Sequence, residues 1–182
     1  MEPVDLRSGR VLLDQPGPDD AAAMVAALNR PEIERVLTTP WPYGPEHAED
    51  FIGRHVPEGW RTEREFTWAL RAPGSPELAG VIGLRTGRPD VGYWTVPASR
   101  GRGLCAEAVR LVADWWFARG GAALAWECVA GNVASLGVAR AAGFRFTGAA
   151  PSHGPYRDGA HPLSWHGVLD PGPRRRHDGW PV

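Results

Sequence analysis

The most constraining stretch of the sequence is a predicted strand that runs through a loop of small residues into a strong amphipathic helix. The strand is predicted over Asp90–Val96, and the loop contains Gly101 and Gly103. The helix is predicted over Leu104–Arg119 and ends at the Gly120-Gly121 pair. Its apolar stripe is made by Leu104, Ala108, Leu111 and Trp115. A stripe of this kind packs against the core, so this unit anchors the predicted fold.

The rest of the chain predicts short helices first, then an antiparallel meander, then strand–helix–strand. The other predicted helices are Ala21–Leu28, a short one after Asn29, Glu46–His55 and Ala134–Ala142. The other predicted strands are Arg10–Asp14, Glu65–Arg71, Leu78–Thr86, Ala123–Val129, Phe144–Ala149 and Leu163–Leu169. This order predicts an α+β (mixed α/β) domain around one central sheet, over residues 1–170. Residues 171–182 have no periodicity and are predicted to form a disordered tail.

Composition excludes several classes of function. The net charge is −1, which argues against a broad nucleic-acid-binding surface. All 20 basic residues are Arg, so a Schiff-base lysine and a P-loop lysine are both excluded. The two cysteines, Cys105 and Cys128, form neither a disulfide framework nor a zinc pattern, so we expect no metal site. No leader or membrane-spanning run is visible, so we expect a cytoplasmic protein with no membrane partner.

The loop before the long helix predicts a pyrophosphate site, because small residues and a helix N-terminus leave backbone N–H groups free for phosphate oxygens. Two interpretations compete. Gly101-x-Gly103-x-x-Ala106, with Glu127 about 20 residues further on, fits a dinucleotide-binding fingerprint. However, some 90 residues precede this unit, which is the wrong context for such a fold.

The second interpretation is a family resemblance. Arg100-Gly-Arg-Gly103-Leu-Cys105 is similar to the Arg/Gln-x-x-Gly-x-Gly/Ala loop of the GNAT superfamily of acyl-CoA N-acetyltransferases. Four other motifs resemble its RimJ/RimL-type branch: Asn29-Arg-Pro-Glu-Ile, Pro42-Tyr-Gly-Pro-Glu-His-Ala, Asp90-Val-Gly-Tyr-Trp94, and Gly131-Asn-Val-Ala-Ser135 followed by Gly143-Phe144. The resemblance as a whole covers roughly residues 8–169.

This resemblance implies a mostly antiparallel sheet of about six to seven strands flanked by helices, with acetyl-CoA or another short acyl-CoA as co-substrate. It assigns cofactor binding to backbone groups of Trp94, Thr95 and Val96, and to Asn132 for the pantetheine arm. The pyrophosphate loop it implies consists of Arg100, Arg102, Gly103, Leu104, Cys105 and Ala106.

The same resemblance implies direct acyl transfer. Ser135 is the expected proton donor to the leaving thiolate, because Ala139 stands where many relatives carry an acid tyrosine. Asp90 is the candidate base, through water, although a simple charge at a strand end is the competing interpretation. Glu127 is expected to be a solvated charge. Residues His153, Tyr156, Arg157 and Asp158 are expected at the rim of the acceptor pocket, with Trp41, Tyr43 and Trp60 lining its other side.

The expected acceptor is a primary amine, either a peptide or protein N-terminus or a small metabolite. Two alternatives stay open at this point: a non-catalytic acyl-CoA-binding module, and an NAD(P)-binding oxidoreductase. The sequence leaves the oligomeric state open between monomer and homodimer.

Overall fold

The computed structural model describes residues 1–182, which fold around one eight-stranded sheet. The strands are β1 (Leu6–Arg7), β2 (Leu12–Asp14), β3 (Glu65–Arg71), β4 (Leu78–Arg85), β5 (Asp90–Thr95), β6 (Leu124–Val129), β7 (Arg145–Pro151) and β8 (Leu163–Leu169). Their order in the sheet is β1-β2-β3-β4-β5-β6-β8-β7. Every neighbouring pair is antiparallel except β5–β6, which is parallel. The predicted mostly antiparallel α+β fold is confirmed, with one more strand than expected, the two-residue β1.

The helices lie on both faces of this sheet. They are α1 (Ala21–Leu28), α2 (Pro31–Glu34), α3 (Pro45–Asp50), α4 (Val56–Thr62), α5 (Leu104–Ala118) and α6 (Val133–Ala142). The larger core packs α4, α5 and α6 against the sheet around Trp60, Trp68 and Trp126. The smaller core packs α1 and α3 beside Ala69 and Val81. No helix combines the length and apolarity that crossing a membrane would require.

The helix predicted over Glu46–His55 is longer than expected. α3 continues through a π-helical turn over Phe51–His55 into α4, which ends at Thr62. Pro57 lies in the first turn of α4 and has no N–H to donate to the preceding turn. A π-helical turn at that point widens the helix and accommodates the proline ring. The extension places Trp60 in the larger core, and Tyr43 is buried in the smaller one, so neither residue lines a pocket as the sequence suggested.

The C-terminal segment has no helix or strand, yet it contacts the body of the protein. The Trp180 ring packs against Trp126 with a centroid distance of 5.9 Å and against Phe146 at 5.6 Å. The Arg174 guanidinium lies 5.6 Å from the centre of the Phe117 ring and pairs with Asp114. In this structure residues 171–182 therefore differ from the free, disordered tail that the sequence predicted.

We expect deletion of residues 171–182 to lower the free energy of unfolding. Truncating a fully buried tryptophan costs about 3–5 kcal/mol, and the half-buried Trp180 should cost about 2 kcal/mol. In a domain of this size each kcal/mol of lost stability lowers Tm by about 2–4 °C, a change that differential scanning calorimetry measures. Trp180→Ala should reproduce most of the loss, whereas deleting only Pro181 and Val182 should not. A truncated protein with an unchanged Tm would restore the prediction of a disordered tail.

Candidate active site

The candidate site begins where β5 and β6 separate. These parallel neighbours share a single register pair, Asp90 with Ala125, and the Ala125 N–H donates to the Pro89 carbonyl oxygen at 2.8 Å. Beyond that pair the strands diverge and open a cleft through the sheet. The cleft is lined by β5, β6 and the first turns of α5 and α6.

The edge of β5 that faces the cleft carries backbone groups without partners from β6. On the other side of β5 the Val96 N–H donates to the Ala79 carbonyl oxygen at 2.9 Å. Backbone groups alternate in direction along a strand of an antiparallel pair, so Trp94 also turns toward β4, and Tyr93 and Thr95 turn toward the cleft. Of the three predicted backbone contacts, Trp94 and Val96 thus face β4, and the groups open to a ligand are those of Thr95 and, in addition, Tyr93.

The predicted pyrophosphate loop leads directly into α5. Gly101 and Gly103 have φ values of 72° and 75°, a region that favours glycine, and Gly103 is the N-cap of α5. Arg10 braces the loop, because its guanidinium donates to the Arg102 carbonyl oxygen at 2.9 Å. The side chains of Leu104, Cys105 and Ala106 are buried, so what these residues offer a ligand is their backbone N–H groups, which have no partner within the helix.

The two arginines of the loop differ in their partners. Arg100 lies 3.3 Å from the Glu32 carboxylate of α2, which also accepts from Arg30 at 2.7 Å. The hydrogen bond from Arg30, with a smaller one from Arg100, lowers the pKa of Glu32 to about 2. The exposed Arg102 side chain makes no ion pair, so it is the cation that remains free for a phosphate.

Ser135 lies in the first turn of α6 at the opposite wall of the cleft. Its backbone N–H donates to the side chain of Asn132, the N-cap, at 3.1 Å. Because Asn132 caps the helix, the Ser135 hydroxyl is not used for capping. The Nδ2 group of Asn132 has no partner in the protein and lies in the cleft lining, where the resemblance places the pantetheine arm.

Two aromatic side chains hold the Ser135 hydroxyl in place. The Trp126 indole N–H, which can only donate, lies 3.1 Å from Ser135 Oγ. The Tyr93 hydroxyl lies 3.1 Å both from Oγ and from the Ser135 carbonyl oxygen. Burial raises the pKa of Tyr93 well above its usual value, so its hydroxyl stays protonated. The single Tyr93 hydroxyl proton can go to either oxygen: donated to Oγ, it leaves the Ser135 proton free for a third group, and donated to the carbonyl oxygen, it lets Ser135 donate to Tyr93.

The two cysteines are neutral thiols. Burial raises the pKa of Cys105 to about 12 and that of Cys128 to about 12. A thiolate is therefore absent at neutral pH, and Cys105 fills space beside the loop rather than attacking a thioester.

Asp90, the base candidate from sequence, is ion-paired. Arg85 on the neighbouring strand donates to both of its carboxylate oxygens, at 2.8 Å and 2.5 Å. This hydrogen-bonded pairing also raises the pKa of Arg85. Both carboxylate oxygens are occupied by the guanidinium, so the structure favours the strand-end charge interpretation of Asp90.

Sequence reasoning missed the group around Glu127. Its carboxylate lies 2.5 Å from His153 Nδ1 and 3.4 Å from His166 Nδ1, and it is not a free solvated charge. These three residues are the one His/Cys/Asp/Glu group whose ligand-type atoms converge, all within 4.8 Å. The β6–β8 register, which places Glu127 opposite His166, is the signal that could have revealed it.

The β7–β8 loop reaches the N-terminal helices. Arg157 donates to the carbonyl oxygens of Glu34 and Thr39, and its guanidinium lies 5.9 Å from the centre of the Trp41 ring. Burial, with the Glu127 charge second, raises the pKa of Tyr156 in the cleft lining. Asp158 accepts from the Ala160 N–H within a turn and does not point to a substrate role.

Comparison with known proteins decides the family. A profile described as the acetyltransferase (GNAT) domain matches residues 10–145, three quarters of the chain. The chain belongs to the GNAT acetyltransferase family. No curated protein matches it by sequence.

Solved structures of low sequence identity share this GNAT fold. An acetyltransferase from Salmonella typhimurium, described as modifying the N-terminal serine of the ribosomal protein L7/L12, superposes with a TM-score of 0.78 at 15% identity over 93% of this chain and 100% of its own. The ribosomal-protein-S5-alanine acetyltransferase of Vibrio fischeri superposes with a TM-score of 0.76 at 17% identity, over 94% of this chain and 99% of its own. The microcin C7 self-immunity acetyltransferase MccE, solved with acetyl-CoA and AMP, superposes with a TM-score of 0.76 at 16% identity, over 90% of this chain and 93% of its own.

The family match and the topology overturn the dinucleotide interpretation. A dinucleotide-binding domain needs a run of parallel strands, and this GNAT sheet contains one parallel pair. Its glycine-rich loop follows β5, the strand whose pairing with β6 opens after one register pair.

We expect Gly103→Val to weaken acetyl-CoA binding at least about tenfold, or 1.4 kcal/mol. A Cβ at Gly103 would lie 3.4 Å from the Arg10 guanidinium, and the side chain would occupy space that phosphate oxygens need. Gly120→Val is the matched control. Its φ of 79° imposes similar strain, its added Cβ meets no atom within 4 Å, and it lies at the other end of α5. Equal affinities of the two folded variants in isothermal titration calorimetry would exclude the phosphate loop.

Proposed function

We propose that this GNAT protein transfers the acetyl group of acetyl-CoA directly to a primary amine, and that the amine is the N-terminus of a peptide or protein. The observation that carries the proposal is the opening between β5 and β6. It brings the free backbone edge of β5, the N-terminus of α5 and the Ser135 hydroxyl to one cleft.

The order of these groups suggests how an acyl-CoA would lie. The pyrophosphate would accept from backbone N–H groups at Leu104–Ala106 and from Arg102. The pantetheine amides would pair with the Tyr93 and Thr95 backbone as an added strand, with Asn132 on the other wall. The thioester would then reach the neighbourhood of Ser135, and a backbone N–H of β5 would donate to the carbonyl oxygen as it gains negative charge.

Ser135 is the proposed proton donor to the departing thiolate. Trp126 and Tyr93 fix the position of its oxygen, and when Tyr93 donates to that oxygen the Ser135 proton is available to the cleft. Ala139, one turn later in α6, carries no polar group, and both cysteines are desolvated thiols. Ser135 is thus the hydroxyl in α6 that can serve.

An N-terminal amine is favoured as acceptor for two reasons. The structural neighbours from Salmonella typhimurium and Vibrio fischeri carry names that describe acetylation of ribosomal proteins. In addition, an α-amine has a pKa of about 8, so a modest base suffices to keep it neutral at physiological pH. The acceptor side of the cleft is bounded by the β7–β8 loop and by the segment around Trp41, which Arg157 joins.

The direct test is acetylation of short synthetic peptides followed by mass spectrometry. Peptides beginning with serine or alanine should each gain one acetyl group in the presence of enzyme and acetyl-CoA. The same peptides with a blocked N-terminus and an internal lysine should remain unmodified. Acetylation of small amines alone would move the acceptor to a metabolite, and acetyl-CoA binding without any acetylation would indicate a non-catalytic binding module.

We expect Ser135→Ala to lower kcat by about 10²-fold, the low end of the range for lost general-acid help, because CoA thiolate is a fair leaving group unaided. The affinity for acetyl-CoA should change little, because the phosphate loop lies at the other wall. The measurement is single-turnover kinetics, in which chemistry limits the rate.

Two variants serve as controls. Ser164→Ala removes a fully buried hydroxyl on β8, bonded locally to the Pro162 carbonyl oxygen, and should leave kcat unchanged. Tyr93→Phe removes one of the two groups that hold Ser135 and should lower kcat less than Ser135→Ala does. If Tyr93→Phe abolished turnover and Ser135→Ala did not, tyrosine would be the acid.

A further inference from the structure

Glu127 and His153 form a carboxylate–imidazole pair in the wall of the cleft. Glu127 Oε2 lies 2.5 Å from His153 Nδ1, and the Glu127 oxygens also accept the His153 backbone N–H at 3.3 Å and 3.2 Å. One carboxylate thus holds both the backbone and the ring of a residue in the β7–β8 loop. The Glu127 side chain is 21% exposed, and the His153 side chain is 50% exposed. The carboxylate therefore lies behind the imidazole, which is the more open of the two.

This contact determines which nitrogen of His153 is a base. A carboxylate only accepts, so the Nδ1–H of His153 donates to Glu127. In the neutral ring the lone pair is then on Nε2, which has no partner in the protein. The same contact fixes the tautomer and the orientation of the ring.

His166 supports the pair from β8. It lies opposite Glu127 in the β6–β8 register, and its ring meets that of His153 edge-on with a centroid distance of 4.9 Å. Its Nε2 is 3.3 Å from the Ala150 carbonyl oxygen, and its side chain is only 12% exposed. His166 therefore packs behind His153 and limits the orientations of that ring.

The pair lies on the other face of β6 from the proposed acid. Side chains alternate along a strand, so Trp126 and Cys128 point into the larger core, and Glu127 points to the opposite face. Trp126 donates to Ser135, and Glu127 holds His153. The gap between β5 and β6 joins these two faces, so a thioester in the gap would have Ser135 on one side and His153 on the other.

We propose that His153 is the general base of this enzyme and that Glu127 is its positioning residue, an inference that rests on the proposed acetyl transfer. His153 Nε2 takes a proton from the ammonium form of the acceptor, and the neutral amine nitrogen then bonds to the thioester carbonyl carbon and releases its second proton to solvent. The carbon–sulfur bond breaks, its electron pair stays on sulfur, and the Ser135 hydroxyl proton moves to the thiolate. The His153 imidazolium then loses its proton to solvent, Ser135 regains one from solvent, and the products are the amide and CoA thiol.

The groups facing the pair leave His153 as the available base. Tyr156 and Cys128 have raised pKa values and stay protonated at neutral pH. Asp90 is occupied by Arg85, and that guanidinium is also close enough to Glu127 to feel its charge. His166 is nearly enclosed, and its Nε2 is directed to a carbonyl oxygen.

The distances favour a hydrogen-bonded pair over a metal site at the same residues. Two ligands bound to one zinc ion at about 2 Å lie more than about 3 Å apart in tetrahedral geometry. The 2.5 Å between Glu127 Oε2 and His153 Nδ1 is shorter than that and is a hydrogen-bond contact.

The test compares His153→Gln with His161→Gln under single-turnover conditions, using a serine-initiated peptide, or the best small-amine acceptor if no peptide reacts. His161 belongs to the same loop but bonds to the Ser152 carbonyl oxygen, outside the cleft lining, so its variant should match the wild type. His153→Gln should lose about 10²-fold in rate near pH 7 with unchanged acetyl-CoA affinity. The loss should shrink about tenfold above the amine pKa of about 8, where the acceptor is already neutral. Glu127→Gln should show the same pH-dependent loss at smaller amplitude.

Three results would overturn the proposal. A loss that is equal at every pH would indicate a structural role, and full activity of His153→Gln would exclude any role. Loss of wild-type activity in EDTA with recovery on added zinc would make the three residues metal ligands. A crystal structure with acetyl-CoA tests the proposal without an acceptor. His153 Nε2 should lie within about 6 Å of the thioester carbon, or within about 9 Å if one water bridges them. A longer distance would exclude His153 as the base.

Discussion

The site depends on one parallel contact in an otherwise antiparallel sheet. Parallel neighbours require a crossover connection, and here the crossover consists of the loop over residues 96–103 and α5. Because β5 and β6 share only one register pair, the crossover leaves a gap instead of a continuous ladder. The gap has unpaired backbone along β5, a helix N-terminus at its mouth and the start of α6 across from it. The groups that the proposed thioester binding uses therefore all lie along the gap between β5 and β6.

The core keeps this gap open. Val109, Val112 and Ala113 of α5 are fully buried, so the helix cannot shift toward the cleft without losing packing across a whole face. On β6, Trp126 links the hydrophobic core to the candidate site. Its ring packs against Phe144 and Trp180, and its indole N–H donates to Ser135. The C-terminal segment therefore contacts the residue that holds the proposed acid, although the segment itself does not line the cleft.

The parts of the structure that sequence reasoning found are those determined by local pattern. The bounds of α1 and β8 follow from apolar spacing and from flanking Asp, Pro and Gly residues, and the phosphate loop follows from glycines before an amphipathic helix. The parts it missed are pairings between distant residues. Glu127 and His153 are 26 positions apart and meet only because of a strand register and a loop. In the sequence Trp180 belongs to an aperiodic C-terminal segment, and its contacts with Trp126 and Phe146 are visible only in the structure. Asp90 has the right position for a base, but its partner Arg85 comes from the adjacent strand.

The departure from the family pattern at Ala139 is explained by the packing of α6. Ala139 is fully enclosed in the larger core, so a tyrosine there would have to displace packed side chains before its hydroxyl could reach the cleft. Ser135 lies one turn closer to the N-terminus of α6, where the helix meets the cleft, and a short hydroxyl suffices because Trp126 and Tyr93 already hold its oxygen. On the opposite face, Glu127 holds the ring of His153 from behind. In both cases a residue on β6 that lies away from the reacting atoms holds a side chain borne by another element, so this strand sets the geometry of the proposed acid and the proposed base together.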